Sequence, residues 1–323
     1  MAMTTLPAVT PFDSRLDLQS VRIVRAIAET GTITGAARAL GYSQPAVSQH
    51  LQRTEARLGM QLVTRVGRSV RLTEAGALLA RHALTITSAL DAAEGELADL
   101  AGLRTGTVRL AAFPTASSTI VPRLLARMNQ LHPGIRITYI EAQPPEAVAM
   151  LRDGSIDLAI TFSYPGDRAD PHRADTTGLV SETLYTEETV VVLPQDHPEA
   201  SDSVVTMTRL AHEHWIAGCP RCRGHLLAVS ETAGFSPAIS FETDNASAVL
   251  NMVASGLGVA MLPRLALATA TLPAGAVIRP HSPESKRSIH VLATDGARRV
   301  PTLAAATAVL HELDGEAWGL SPA

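Results

Sequence analysis

Aromatic side chains are scarce in this sequence. Two Trp, four Tyr and five Phe stand among 323 residues, so its cores must be built from Ala, Val, Leu and Ile, which the 46% hydrophobic fraction can supply. Lysine is nearly missing as well: Lys286 is the one example, a bias with no functional reason in the sequence. Two cysteines, and no basic segment leading an apolar run at the N-terminus, argue for a reducing, cytoplasmic setting. No apolar stretch approaches the ~20 residues that a membrane helix needs. Enzyme signatures are missing too. There is no Gly-x-Ser-x-Gly and no phosphate loop ending in Gly-Lys-Ser/Thr. Gly256-Leu257-Gly258 follows a helical stretch and precedes a strand, the reverse of a dinucleotide fingerprint, and His212-Glu213-His214 lacks the spacing of a zinc protease. No catalytic residue, cofactor or metal is expected.

The net charge of −4 does not suggest DNA binding, but its distribution does. Residues 1–72 carry nine arginines against four acids, whereas the remainder carries eighteen basic and twenty-seven acidic residues. A basic head on an acidic body is expected when one end meets nucleic acid.

Within that head, Gly31 to Leu51 reads as two short helices around a tight turn. The first spans Thr34 to Leu40 and ends at Gly41, suited to a left-handed cap. Ser43 caps the second helix, and Pro45 falls in its first turn. Ala37, Leu40, Val47 and Leu51 form a small core, which leaves Gln44, Ser48, Gln49 and Arg53 outward. Amides and hydroxyls at the start of a second helix suit base edges in the major groove. Val63 to Arg65 and Val70 to Leu72 read as a hairpin around Gly67, with Arg65, Arg68 and Arg71 along one edge for phosphates.

The residues from Leu18 to Gly76 resemble the winged helix-turn-helix of LysR-type transcriptional regulators. Ala36-Ala37, Ser43-Gln44-Pro45-Ala46-Val47-Ser48, Leu58-Gly59, Arg65 and Leu72-Thr73-Glu74-Ala75-Gly76 carry the resemblance. Val63 and Ile33 replace common phenylalanines, and His50 replaces a frequent Arg or Lys, which would weaken one phosphate contact. The expected DNA-contact set is Thr32, Thr34, Ser43, Gln44, Pro45, Ser48, Gln49, Arg53, Arg65, Arg68 and Arg71.

Thr73 to Leu100 lacks proline and repeats Ala75, Leu79, His82, Ile86, Leu90, Ala93, Leu97 and Leu100 at steps of three and four. This predicts a long helix, with Thr73 as N-cap, and a seam suited to dimerisation. The resemblance makes it a linker helix pairing two subunits. Gly102 to Gly106 reads as a hinge.

Beyond it, strands and helices alternate: strands at 107–113, 135–141, 156–162, 189–193, 215–217, 239–243, 258–262 and 288–293, and helices at 120–131, 145–152, 226–233, 246–255 and 302–313. Such alternation argues a mostly parallel sheet covered by helices. Gly106 to Phe113, His132-Pro133-Gly134, Leu151 to Ile160 and Gly256 to Pro263 resemble the family's effector-binding domain. The resemblance implies a multidomain chain: a mainly α winged helix-turn-helix (17–74), a linker helix (75–103), and a two-lobed α/β domain like the type 2 periplasmic binding proteins (107–313). Lobe I would hold about 107–184 and 297–313, and lobe II about 185–296, with crossings near Leu184–Thr189 and Ala293–Val300.

Ligands of open α/β sheets bind at the carboxyl ends of strands. The candidate effector residues are Thr115, Ser117 and Ser118 in one lobe, with Thr161 and Ser163. Gly218, Cys219, Asp244 and Asn245 form the opposite wall. The hydroxyls of 115–118 suit an anion at a helix start, or simply an N-cap. Asp244 is read first as an N-cap for Ala246–Ser255 and only then as a pocket residue. Cys219-Pro220-Arg221-Cys222 is read first as an ordinary loop at the cleft mouth, then as a redox pair or half a metal site. Arg221 and Arg223 could hold an anion.

The whole predicts a cytoplasmic regulator, similar to the LysR family. It would bind promoter DNA as a homodimer or homotetramer under control of a small, anionic effector, with RNA polymerase a further partner and no membrane. The alternative is a ligand-binding or enzymatic α/β protein with an accessory helical domain.

Overall fold

The computed structural model describes residues 16–66, 69–100, 106–167 and 178–323. The expected N-terminal tail, the wing tip at Gly67 and Arg68, and most of the Gly102–Gly106 hinge lie outside them. The chain divides into two compact units, residues 1–90 and 91–323.

In the first unit, helices α1 (Leu18–Thr30), α2 (Ile33–Ala39) and α3 (Gln44–Leu58) precede strands β1 (Val63–Val66) and β2 (Ser69–Leu72) and the start of α4 (Glu74–Leu100). Local chemistry sets each boundary. Asp17, Thr32 and Ser43 accept N-terminal backbone N–H groups of α1, α2 and α3. Gly31, Gly41 and Gly59 take left-handed φ at the turns. Val24, Ile27, Ala36, Ala37, Val47, Leu51 and Leu62 share one buried core with Leu79 and Ala83 of α4.

Two side chains and one glycine lock the corner between helix and hairpin. Glu55 accepts from the backbone N–H of Leu62 and Val63 at 2.8 and 3.2 Å. Thr73 donates to Gln61 O and caps α4 through Gly76 N. At Gly76 an added Cβ would lie 2.0 Å from Leu62 O, so only glycine lets α4 approach.

The expected seam of α4 is divided. Leu79 is buried in its own unit, whereas His82, Ile86, Ala93 and Leu97 are exposed. The N-terminal turns stabilise the winged domain, and an apolar stripe is left only further along.

The second unit is built on one sheet of mixed sense. Its elements are β3 (Gly106–Ala112), α5 (Pro114–Ser117), α6 (Ile120–Leu131), β4 (Ile135–Glu141), α7 (Pro144–Asp153), β5 (Leu158–Ser163), β6 (Leu179–Pro194), β7 (Val205–Thr206), β8 (His214–Ala217), α8 (Pro220–Thr232), β9 (Ala238–Glu242), α9 (Ala246–Ala254), β10 (Val259–Pro263), α10 (Arg264–Leu267), β11 (Ala276–Arg279), β12 (His281–Ser282), β13 (Lys286–Thr294), α11 (Pro301–Glu312) and β14 (Ser321–Pro322). The strand order is β4-β3-β5-β13-β6-β10-β8-β9, with β11 and β14 also on β6.

β6 is the shared spine. Its first part, to Glu188, pairs with β13 in one lobe, and its last part, from Thr189, pairs with β10 and β11 in the other. The first crossing therefore falls at the end of the expected segment. The second lies at the start of β13, around Ser285–Lys286, well before the expected Ala293–Val300. The shift arises because a crossing segment here is a continuous paired strand with no loop to mark it. Phe113, Phe162, Ile289 and Leu310 fill one lobe's core, against which Trp318 packs. Trp215 is fully buried in the other lobe, where its indole donates to Leu210 O at 3.3 Å.

Gly76→Ala is expected to destabilise the first unit by about 1–3 kcal/mol, the usual cost of overpacking. Urea unfolding followed by circular dichroism checks it, and unchanged stability would show that α4 can retreat freely.

Candidate functional site

Two surfaces follow from this framework. On α3, Gln44, Pro45, Gln49 and Arg53 are exposed and Ser48 is half-buried. Val47 and Leu51 occupy the buried side, as the spacing requires. Thr34 is exposed at the start of α2, and Thr32 spends its hydroxyl capping that helix at Gly35 N, 3.0 Å away. Ser43 likewise caps α3 through Ala46 N at 3.4 Å.

In the hairpin, Arg65 pairs with Val70 and Arg71 with Thr64. Neighbouring cross-strand pairs alternate between the faces of a ribbon, so these positions do not share the single edge that the spacing suggested. Arg71 is exposed, while Arg68 and the side chain of Arg65 lie outside the described residues.

His50 turns inward. Its Nε2 lies 3.1 Å from both Asp17 Oδ1 and Ser20 Oγ. Arg57 reaches Asp17 Oδ2 at 2.6 Å. Partial burial opposes the Asp17 charge, but Arg57, Ser20 and His50 together hold its pKa well below the usual carboxylate range.

The second surface is a small pocket in the two-lobed unit, with a cavity volume of about 40 Å3. Its walls come from the carboxyl ends of strands: Phe113 to Thr115 after β3, Gln143 after β4, Phe162 in β5, Gly218 and Cys219 after β8, and Thr243 and Asp244 after β9. Cys222 and Arg287 complete the polar lining, while Val249, Leu262, Pro263 and Ala266 make one side apolar.

Thr115, Gly218, Cys219 and Asp244 are among the residues that line this pocket. Ser117 and Ser118 do not reach the lining. Their hydroxyls donate back to Phe113 O and Thr115 O, and neither serves as an N-cap. Tyr139 also donates to Ser117. Thr161 is buried within β5, and Ser163 pairs with His290 Nε2 at 2.7 Å. Asn245, not Asp244, caps α9 through Ala248 N. Asp244 is left facing Gln143 across the cleft at 3.5 Å.

The Cys219–Cys222 segment is not a loop. Cys219 is the N-cap residue of α8, Pro220 begins the helix, and Cys222 lies in its first turn. Proline at the first helical position is a start signal. Arg221 pairs with Asp167 at 3.0 Å and Arg223 with Glu242 at 3.0 Å, so both are engaged within the protein. Among the described residues no group of three His, Cys, Asp or Glu could hold a metal ion.

Sequence reasoning missed Arg287, which forms the pocket floor. It is 2% exposed, and its Nε donates to Glu187 Oε1 at 2.6 Å. Its Nη2 donates to Thr115 Oγ1 at 3.2 Å, and the guanidinium lies over the rings of Phe113 and Phe162 at 5.1 and 4.6 Å. Glu187 also accepts from Leu265 N at 2.6 Å. Burial works against the Arg287 charge, but Glu187 outweighs it and holds the group protonated. Gln143 was missed as well. Its Oε1 is buried with no hydrogen-bond partner among the described residues.

A winged helix-turn-helix joined to a two-lobed α/β domain with a cleft at its strand ends defines a ligand-responsive DNA-binding protein. Residues 18–77 match the model for the "Bacterial regulatory helix-turn-helix protein, lysR family", and residues 101–314 match the "LysR substrate binding domain". The chain belongs to the LysR family of transcriptional regulators.

It is 34% identical to the probable hydrogen peroxide-inducible genes activator of Mycobacterium avium over 77% of this chain and 78% of that one. It is 28% identical to the HTH-type transcriptional regulator YvbU of Bacillus subtilis over 85% and 91%. Among solved structures, a full-length OxyR variant from Pseudomonas aeruginosa aligns with TM-score 0.67 at 21% identity, covering 93% of this chain and 96% of that one. The relatives are named as transcriptional regulators, so the chain is a regulator and not an enzyme. No helix among the described residues is long and apolar enough to cross a membrane.

Arg287→Met is expected to destabilise the two-lobed unit by about 3–5 kcal/mol, because it strands a buried carboxylate. Pairing it with Glu187→Leu should recover most of that loss. A double-mutant cycle in guanidinium chloride measures both, and additive losses would contradict the coupling.

Proposed function

We propose that the exposed face of α3 reads the operator and that the pocket above Arg287 receives the effector. The observation that carries the first half is the division of α3, with Val47 and Leu51 in the core and Gln44, Gln49 and Arg53 on the open side. Glutamine can make two hydrogen bonds to adenine, whereas arginine serves guanine or phosphate. Thr34, Ser48 and the wing arginines at 65, 68 and 71 add contacts that set register. Thr32 and Ser43 act there through the helix starts they cap. With His50 held by Asp17 and Ser20, the phosphate contact given by Arg or Lys at that position is absent.

The working form is a dimer or higher oligomer joined through the exposed stripe of α4, Ile86, Ala93 and Leu97, in the cytoplasm where the promoter is. Contact with RNA polymerase at that promoter fits an activator.

The relatives' names point to different roles, one induced by hydrogen peroxide and another regulating a RuBisCO operon, so the effector class is taken from the pocket. One wall is apolar, Gln143 Oε1 lacks a donor, and Thr115 stands beside Arg287. A small molecule with one hydrogen-bond donor fits. An anionic group could approach only the floor, where Arg287 is already matched by Glu187. Binding would bias the relation of the lobes and so the bending of operator DNA.

Gln44→Ala should weaken binding to the duplex upstream of the chain's own gene by about 1–3 kcal/mol. Random duplex should lose far less. Gel shifts at fixed salt measure both, and equal losses would remove Gln44 from base reading.

Filling the pocket with Ala266→Phe should leave the operator complex intact while abolishing its response to an effector found by thermal-shift screening. A footprint that still moves with that effector would place its site elsewhere.

A further inference from the structure

The chain runs past the matched domain, which ends at residue 314. What it builds there is held in place. A 3-10 turn (Glu316–Trp318) leads to β14, which pairs with β6, Ser321 opposite Thr186 and Pro322 opposite Tyr185. Leu320 is buried in the core that holds Phe113, and its N–H donates to Gly315 O at 3.1 Å. Gly319 takes a left-handed φ of 71°. A Cβ there would lie 3.1 Å from Arg264 Cδ, so glycine both turns the chain and leaves room for that side chain.

Between this segment and the crossing lies a second cavity, of about 320 Å3. Small-molecule sites usually span roughly 300–1,000 Å3. Thr186 and Glu188 of β6, Lys286 of β13, Arg264 of α10, and Glu316 and Ser321 of the added segment line it. Side chains alternate across a strand, so Lys286 points away from the face on which Arg287 floors the first pocket. Thr186 and Glu188 flank Glu187 in the same sense. The two cavities therefore occupy the two faces of one crossing, with the Glu187–Arg287 pair between them.

The charges in this second cavity are unevenly matched. Lys286 stands directly opposite Glu188 in the strand ladder. Glu188, however, accepts from Arg264 Nη2 and Nε at 3.2 and 3.3 Å. Among the described residues, the Lys286 ammonium is left with no ion pair, and so is the Glu316 carboxylate. Both residues are exposed. One positive and one negative group thus face a common space without pairing with each other. Leu320 is the only apolar side chain among the described residues of the lining.

We propose that this cavity is a second small-molecule site, which binds a zwitterionic amino acid with a short polar side chain. The ligand's carboxylate meets the Lys286 ammonium, and its ammonium meets the Glu316 carboxylate. The hydroxyls of Thr186 and Ser321 serve its side chain. A simple anion or a simple cation would satisfy one of these charges and leave the other facing it. A bulky apolar side chain would find Leu320 alone to rest on. Arg264 follows β10 in one lobe, whereas β14 and the start of β13 belong to the other, so an occupied cavity braces the lobes against each other. The site stands whether or not the pocket above Arg287 takes an effector.

The test is isothermal titration calorimetry of the full-length chain with L-serine and two of its analogues. 3-Hydroxypropionate keeps the carboxylate and hydroxyl of serine but lacks the amine, and ethanolamine lacks the carboxylate. Serine should bind at millimolar concentration or below. Each analogue should bind about tenfold more weakly or worse, the usual worth of one hydrogen bond to a charged group. Lys286→Met and Glu316→Gln should each cost a similar factor, while Lys286→Arg should keep most of the affinity. Circular dichroism checks that these surface variants fold.

Serine binding that persists unchanged in both Lys286→Met and Glu316→Gln would place serine elsewhere and overturn the site. An analogue that binds as well as serine would overturn the zwitterion. A parent chain that gives no heat with serine at high millimolar concentration would overturn the proposal outright. None of these outcomes bears on DNA binding, which the gel shifts measure separately.

Discussion

A charge pair buried between two crossing strands governs the second unit. Glu187 sits in β6 and Arg287 in β13, directly opposite one another in the strand register. Neither can leave without stranding the other in a low-dielectric interior, where an unpaired charge costs several kcal/mol. The pair also reaches outward. Through Glu187 it holds the start of α10 at Leu265, and through Arg287 it holds Thr115 and two aromatic rings. The point where the backbone passes between lobes is therefore also the floor of the pocket.

The DNA-binding end is organised on another scale. Its boundaries rest on contacts three or four residues apart: Asp17 to Ser20, Thr32 to Gly35, Ser43 to Ala46, Thr73 to Gly76. Each is a local hydrogen bond between a side chain and a helix start. This is why the helix-turn-helix could be read from the chain alone to within a residue at most ends. Asp17 and Glu55 then carry the signal further, fastening α1 to α3 and α3 to the hairpin.

The pocket was legible only in part, for a reason of distance. Thr115, Gly218, Cys219 and Asp244 follow strands, and that rule is local. Arg287 and Gln143 depend on partners a hundred residues away, which no spacing reveals. The serines at 117 and 118 were misplaced because a hydroxyl beside a helix has two outlets, and here both chose a carbonyl of their own turn. The cysteine pair was read as a loop at the cleft mouth, whereas Pro220 between them is the first residue of α8. The second crossing was displaced because β13 runs through it without a turn residue.

The poverty in aromatic residues has a practical return. Both tryptophans lie in the two-lobed unit, Trp215 sealed in one lobe and Trp318 packed on the core of the other. None lies in the winged domain. Tryptophan fluorescence of the native chain is thus a two-channel reporter of lobe behaviour, blind to the DNA-reading end. Replacing either indole with phenylalanine would silence one channel, so events in the two lobes can be timed separately without attaching a dye.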